Sequence, residues 1–265
     1  MISRRLTRMA ALSSLVVAAA SLLPGAAFPD EPHASRQKLC IAHGGAGAYA
    51  PFNSLASFRL ALSMHPDYIE TDLQLTKDGV LVCIHDPSLE DLTDVEEIYP
   101  DRFESVERES KPAKTWYVND FTLSEIKKLD AGSWFDVKFK GEAIAAFQEL
   151  IDLAKGKTGL YPEIKDPDFY RSRGVDIERA LYDLLVKNGL DTGEAREHTP
   201  VIVQSFYESS LRRFRELGGH KFTLIQLVWF SNWSDSMPDA GLDRVASYAD
   251  GIGPVLSMID RKSVV

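Results

Sequence analysis

The 265-residue sequence predicts an α/β fold in which parallel strands alternate with helices. Seven short apolar, β-branched runs are bounded by turn residues, and segments with apolar residues at helical spacing lie between most of them. The composition, 45% apolar and 26% charged, is that of an ordinary globular chain and excludes disordered and fibrous classes. One domain suits this length, which α/β barrels commonly fill undivided. The alternation by itself suits a closed barrel and an open doubly wound sheet equally.

The first 27 residues stand apart. Arg4, Arg5 and Arg8 form a basic head, residues 9–23 carry no charge, and Gly25, Ala26 and Ala27 follow Pro24 as a cleavage site. That layout is a signal peptide. The apolar run is shorter than the ~20 residues of a spanning helix. The expectation is therefore an exported protein, periplasmic or secreted, with no membrane anchor after cleavage. Ser3-Arg4-Arg5 leaves both the general secretory and the twin-arginine routes open.

Residues 28–265 then read as one domain. Strands are expected at 39–43, 68–75, 80–85, 160–164, 201–205, 222–228 and 249–253, and helices at 54–63, 144–154, 177–188 and 209–217. Residues 88–141 break the rhythm. They are rich in charge and aromatics (Trp116, Tyr117, Phe121, Trp134, Phe135), open a short helix at 121–125, and read as a cap inserted over the site. The sequence ends at Val265, soon after the seventh run, so the eighth strand of a barrel is not expected and the C-terminus reads as truncated.

The net charge of −9 becomes more acidic once the leader's arginines are removed, and no basic stripe is present, so nucleic acid is not an expected partner. Two cysteines, Cys40 and Cys83, cannot build a disulfide scaffold. Both lie in strand-like runs and are expected as buried free thiols.

Polar residues gather where strands end, which is where α/β barrels place their chemistry. His43 precedes Gly44-Gly45-Ala46-Gly47, a turn through which backbone can approach a ligand closely. Glu70 and Asp72 share one face of a strand because side chains alternate. Asp78-Gly79 signals a hairpin. A two-residue loop there pairs Lys77 with Val80 and sets Asp72 opposite His85, on the carboxylate face. Ile69, Leu73 and Leu75 supply apolar surroundings. Glu163 and Lys165 leave the next apolar strand on one face. Three carboxylates without a cysteine ligand suit a hard, oxygen-seeking ion, Ca²⁺ or Mg²⁺ before Zn²⁺.

In order, His43-Gly44-Gly45, Pro51-Phe52-Asn53-Ser54, Glu70-Thr71-Asp72, Thr76-Lys77-Asp78-Gly79, His85-Asp86 and Glu163-Ile164-Lys165 resemble the glycerophosphodiester phosphodiesterase family. Leu129 to Phe135 and Asp250 to Pro254 also look like it. The resemblance, over residues 39–259, implies a phospholipase-C-like (β/α) TIM-type barrel. It implies Glu70, Asp72 and Glu163 as ligands of one divalent cation, His43 and His85 as acid and base, and Lys165 and Gly44 at the substrate phosphate. The implied reaction splits a small glycerophosphodiester into glycerol 3-phosphate and an alcohol, by attack of water or of the substrate's own glycerol hydroxyl. Two positions depart from the family pattern. Gly44 stands where an arginine is usual and Phe52 where a glutamate is usual, so a phosphate-gripping guanidinium is missing. This motivates two further readings: a weakened or non-catalytic barrel that binds, and a phosphodiesterase on intact lipid head groups approached over Trp116, Phe121, Trp134, Phe135 and Trp229.

Overall fold

The computed structural model describes residues 38–108, 110–229 and 239–259. The expected leader at 1–27 and the last residues, 260–265, on which the expected truncation turns, lie outside them. Nine strands are described: β1 (Ile41–Ala42), β2 (Tyr68–Leu75), β3 (Leu81–Cys83), β4 (Glu104–Arg108), β5 (Lys111–Thr115), β6 (Gly159–Ile164), β7 (Ile202–Ser205), β8 (Thr223–Val228) and β9 (Gly251–Pro254). The helices are α1 (Leu55–Ser63), α2 (Val95–Ile98), α3 (Leu123–Ile126), α4 (Phe147–Ala154), α5 (Pro167–Ser172), α6 (Ile177–Lys187), α7 (Gly193–His198), α8 (Glu208–Glu216), α9 (Asp239–Ala246) and α10 (Leu256–Ile259).

The main sheet runs β1-β2-β6-β7-β8-β9, every neighbouring pair parallel, with β3 antiparallel on β2. Among the described residues β1 and β9 are the outer edges of the sheet, each paired on one side, and the sheet does not close on itself. Alternation sorts each strand. Ile69, Leu73, Leu160, Ile164, Val203 and Leu224 face the helices, packing with Phe58 of α1, Phe147 and Leu150 of α4, Leu181 and Leu185 of α6, and Leu211 and Phe214 of α8. Each such side chain contributes roughly 1.5–3 kcal/mol by burial. The opposite face of β2 and β6 carries Glu70, Asp72, Gln74, Tyr161 and Glu163, all buried. Side chains cap two of the helix starts. The Ser54 hydroxyl accepts the Ser57 N–H, and the Asp176 carboxylate accepts the Arg179 N–H.

The insertion builds a second apolar core from Val82, Ile84, Leu89, Val95, Trp116, Val118, Phe121, Ile126, Leu129 and Ile144. Arg173, just after α5, ties it to the barrel through Asp120 and Glu104 (both 2.6 Å) while stacking on Tyr117 and Phe169.

Several expectations change. The first strand shrinks to two residues, leaving His43 in the turn, and the last shifts to Gly251–Pro254. The helix expected at 144–154 begins only at Phe147, because Ala145 O accepts the Cys83 N–H and Ala146 bridges Val82. The β4–β5 hairpin, α5 and α7 were not expected. Cys83 is buried and its thiol is pushed up to about 12 by burial, but Cys40 is exposed, since it precedes β1 rather than lying in it.

Candidate active site

The β2–β3 hairpin does not have the expected register. Leu75 pairs with Leu81 and Leu73 with Cys83, which sets Asp72 opposite Ile84 rather than His85. The Thr76 hydroxyl accepts the Val80 N–H, so the loop holds three residues, Lys77, Asp78 and Gly79, the last at φ +78°. A one-residue slip would turn His85 away from the carboxylates. His85 lies beyond the end of β3, and its Nε2 sits 3.0 Å from Lys165 Nζ, beside the carboxylates. Ile69, Leu73 and Leu75 do not surround the carboxylates either, since alternation places them against the helices.

Glu70, Asp72 and Glu163 converge, each offering an oxygen within 4.8 Å of the others. Register explains this, because Asp72 of β2 lies beside Glu163 of β6. Asn53, in left-handed backbone at φ +59°, anchors Asp72. Its Nδ2 donates to Asp72 Oδ2 (2.9 Å), and its Oδ1 accepts the Thr71 hydroxyl (2.8 Å). The Gly44 N–H donates to Glu70 Oε2 (2.8 Å), and Gln204 Nε2 to Glu70 Oε1 (3.1 Å). Lys165 Nζ sits 3.1 Å from Glu163 Oε1, 3.6 Å from Asp72 Oδ1 and 3.0 Å from His85 Nε2.

One ammonium among three buried carboxylates leaves an excess of buried negative charge. Burial and then the Asp72 and Glu163 charges push Glu70 well above the carboxylate range, and burial carries Glu163 to about 7. Burial opposes the Lys165 ammonium, but Glu163 and Asp72 more than reverse this, and its pKa rises. An oxygen-only, electron-rich donor set of this kind fits a hard divalent cation.

The histidines flank the cluster, each with 43% of its side chain exposed, so a ligand can reach both. His43 Nε2 lies 3.9 Å from Glu70 Oε2, and burial lowers its pKa. His85 Nδ1–H donates to Asp86 Oδ1 at 2.7 Å, and that bond raises its pKa. In this tautomer Nε2 accepts from Lys165.

Gly44 and Phe52 form one steric unit. Gly44 has φ +59°, and a Cβ there would lie 2.3 Å from Phe52 Cε2. The Phe52 ring thus fills the space a side chain at 44 would need, edge-on to His43 at 4.9 Å.

Residues 43–248, from His43 through every site residue named above, match the model of the glycerophosphoryl diester phosphodiesterase family. The chain belongs to that family. A glycerophosphodiester phosphodiesterase of Haemophilus influenzae is 32% identical over 94% of this chain and 78% of its own length. One of Bacillus subtilis is 33% identical over 85% and 71%. A phosphodiesterase of Oleispira antarctica, solved in complex with the product sn-glycerol 3-phosphate, superposes with a TM-score of 0.61 at 25% identity, over 84% of this chain and 77% of that one. A glycerophosphodiester phosphodiesterase of Agrobacterium tumefaciens gives a TM-score of 0.58 at 24% identity, over 84% and 78%, and shares the fold. Family membership makes the incomplete sheet a TIM-type barrel. Among the described residues no helix is long and apolar enough to cross a membrane.

The structure gathers here the seven residues that sequence reasoning singled out, His43, Gly44, Glu70, Asp72, His85, Glu163 and Lys165. That reasoning gave no separate role to Asn53 or Asp86 and passed over Gln204, whose link to Glu70 spans 134 residues of chain.

Proposed function

We propose that the chain is an exported, divalent-cation-dependent hydrolase that splits glycerophosphodiesters into sn-glycerol 3-phosphate and an alcohol. The observation that carries the reading is the buried Glu70, Asp72 and Glu163 cluster with His43 and His85 on its rim, in a chain of this family. A Ca²⁺ or Mg²⁺ ion held by the three carboxylates would polarise a non-bridging phosphoryl oxygen. Lys165, now shared among Glu163, Asp72 and His85, turns its ammonium to a second phosphoryl oxygen. The Gly44 N–H stays on Glu70 and shapes the phosphate end of the pocket. His43, kept neutral by burial, takes the nucleophile's proton. His85, released from Lys165 and made more basic by Asp86, carries a proton to the departing alkoxide. Residues 1–27 act as the export leader, and 28–265 carry the phosphodiesterase barrel.

A second reading, a barrel that binds without turnover, is favoured by the Phe52 ring standing in the space beside Gly44. Release of glycerol 3-phosphate from glycerophosphocholine by the mature chain, with Ca²⁺, with Mg²⁺ and after chelation, separates the two. Turnover that chelation abolishes supports the enzyme. No turnover from folded protein favours the binding reading or a different phosphodiester.

A further inference from the structure

We propose that Gln204 is a positioning residue for the cation site, acting through Glu70. The inference rests on the reading of Glu70, Asp72 and Glu163 as cation ligands. Gln204 lies on β7 in register with Glu163 of β6 and is 2% exposed. Its Nε2 donates to Glu70 Oε1 at 3.1 Å, while the Gly44 N–H donates to Oε2 at 2.8 Å. Each oxygen of Glu70 therefore receives one N–H from a different element. Two such donors fix the plane of the carboxylate and still leave each oxygen a lone pair for a cation.

The other end of the amide shows what the glutamine is for. Among the described residues Gln204 Oε1 is buried without a hydrogen-bond partner. A buried, unpaired carbonyl oxygen destabilises a fold. An apolar side chain of equal length would fill the position without that penalty but would remove one donor from buried Glu70 Oε1, so what the amide serves here is the Glu70 carboxylate.

The test uses the mature chain and Gln204→Met, each titrated with Ca²⁺ and with Mg²⁺ by calorimetry and melted after chelation. Gln204→Met is expected to melt in chelator at the wild-type temperature or above it, and to bind the cation about 10–100-fold more weakly. Wild-type affinity in Gln204→Met overturns the proposal. So does weakened binding accompanied by a lower melting temperature in chelator, which marks a structural role. Glu70→Gln separates the two levels of inference. If wild type binds and Glu70→Gln does not, the ligand reading stands whatever Gln204→Met does. If wild type itself binds neither cation, the ligand reading fails and the Gln204 role fails with it.

Discussion

At the scale of single residues, the two histidines are set apart by their neighbours. Burial lowers His43 from its usual 6.5, so its neutral, proton-accepting form persists to lower pH. The Asp86 hydrogen bond raises His85, so its protonated form persists to higher pH. Activity is therefore expected to follow a bell, rising through a limb below 6.5 and falling through one above it. In a pH profile of kcat/KM, Asp86→Asn should move the falling limb to lower pH and leave the rising limb in place. His43→Ala or His85→Ala should cost about 10²–10⁴-fold in kcat. Either mutant turning over at the wild-type rate removes that histidine from the mechanism. The Gly44–Phe52 pair gives a second expectation. Gly44→Arg alone must place a side chain at φ +59° and into the Phe52 ring. Left-handed backbone alone costs roughly 1–2 kcal/mol. Thermal unfolding should show more than that loss, with the part due to the Phe52 clash, but not the backbone strain, recovered when Phe52→Glu is added, and the double variant should release glycerol 3-phosphate faster than the single one. A single variant as stable as wild type would mean that the ring readily leaves this space. Sequence showed the two charges lost together; the steric contact between residue 44 and the Phe52 ring was not legible there.

At the scale of elements, alternation along β2 made Glu70 and Asp72 legible without any knowledge of pairing, because the period of two needs only the strand itself. The hairpin register was not legible. Asp78, read as a turn former, has one carboxylate oxygen engaged by the Thr76 hydroxyl at 2.7 Å and by the Leu123 N–H at 2.9 Å. The second contact comes from 45 residues away, at the start of α3, and no local rule anticipates it. The same short helix carries a testable cap. Glu125 Oε2 accepts the Thr122 N–H at 2.8 Å and its hydroxyl at 3.0 Å, and Arg102 pairs with Oε1. The Thr122 N–H, above all, holds Glu125 at about 2 against its usual 4.5. A carboxyl lowered on folding stabilises fully above its unfolded value, and the gain is lost as pH falls towards the folded one. Stability should thus decline between pH 4.5 and about 2, and Glu125→Gln should flatten that slope in denaturant melts. At neutral pH Glu125→Ala should cost about 1 kcal/mol, the usual worth of such a cap. An unchanged acid slope in Glu125→Gln would assign the decline to other carboxylates.

At the scale of the molecule, strand and helix alternation exposed the α/β class, and motif order exposed the barrel, since both are local signals repeated along the chain. The division of the apolar residues into two cores was hidden, because it depends on which face of β3 meets which neighbour. Leu81 and Cys83 join the barrel core, while Val82 and Ile84 join the core of the insertion. A three-residue strand is thus the wall common to both, and that makes it a point of cooperativity. While the wall is intact, opening one core exposes part of the other, and amide exchange in the two regions should share one free energy. Val82→Ala removes contact on the insertion side alone. It should let amides of residues 89–129 exchange at a lower free energy than those of β6 and β7, whereas Leu160→Ala should lower both sets together. Separate exchange energies already in wild type would mean that the insertion opens as a unit of its own, far more often than the barrel unfolds.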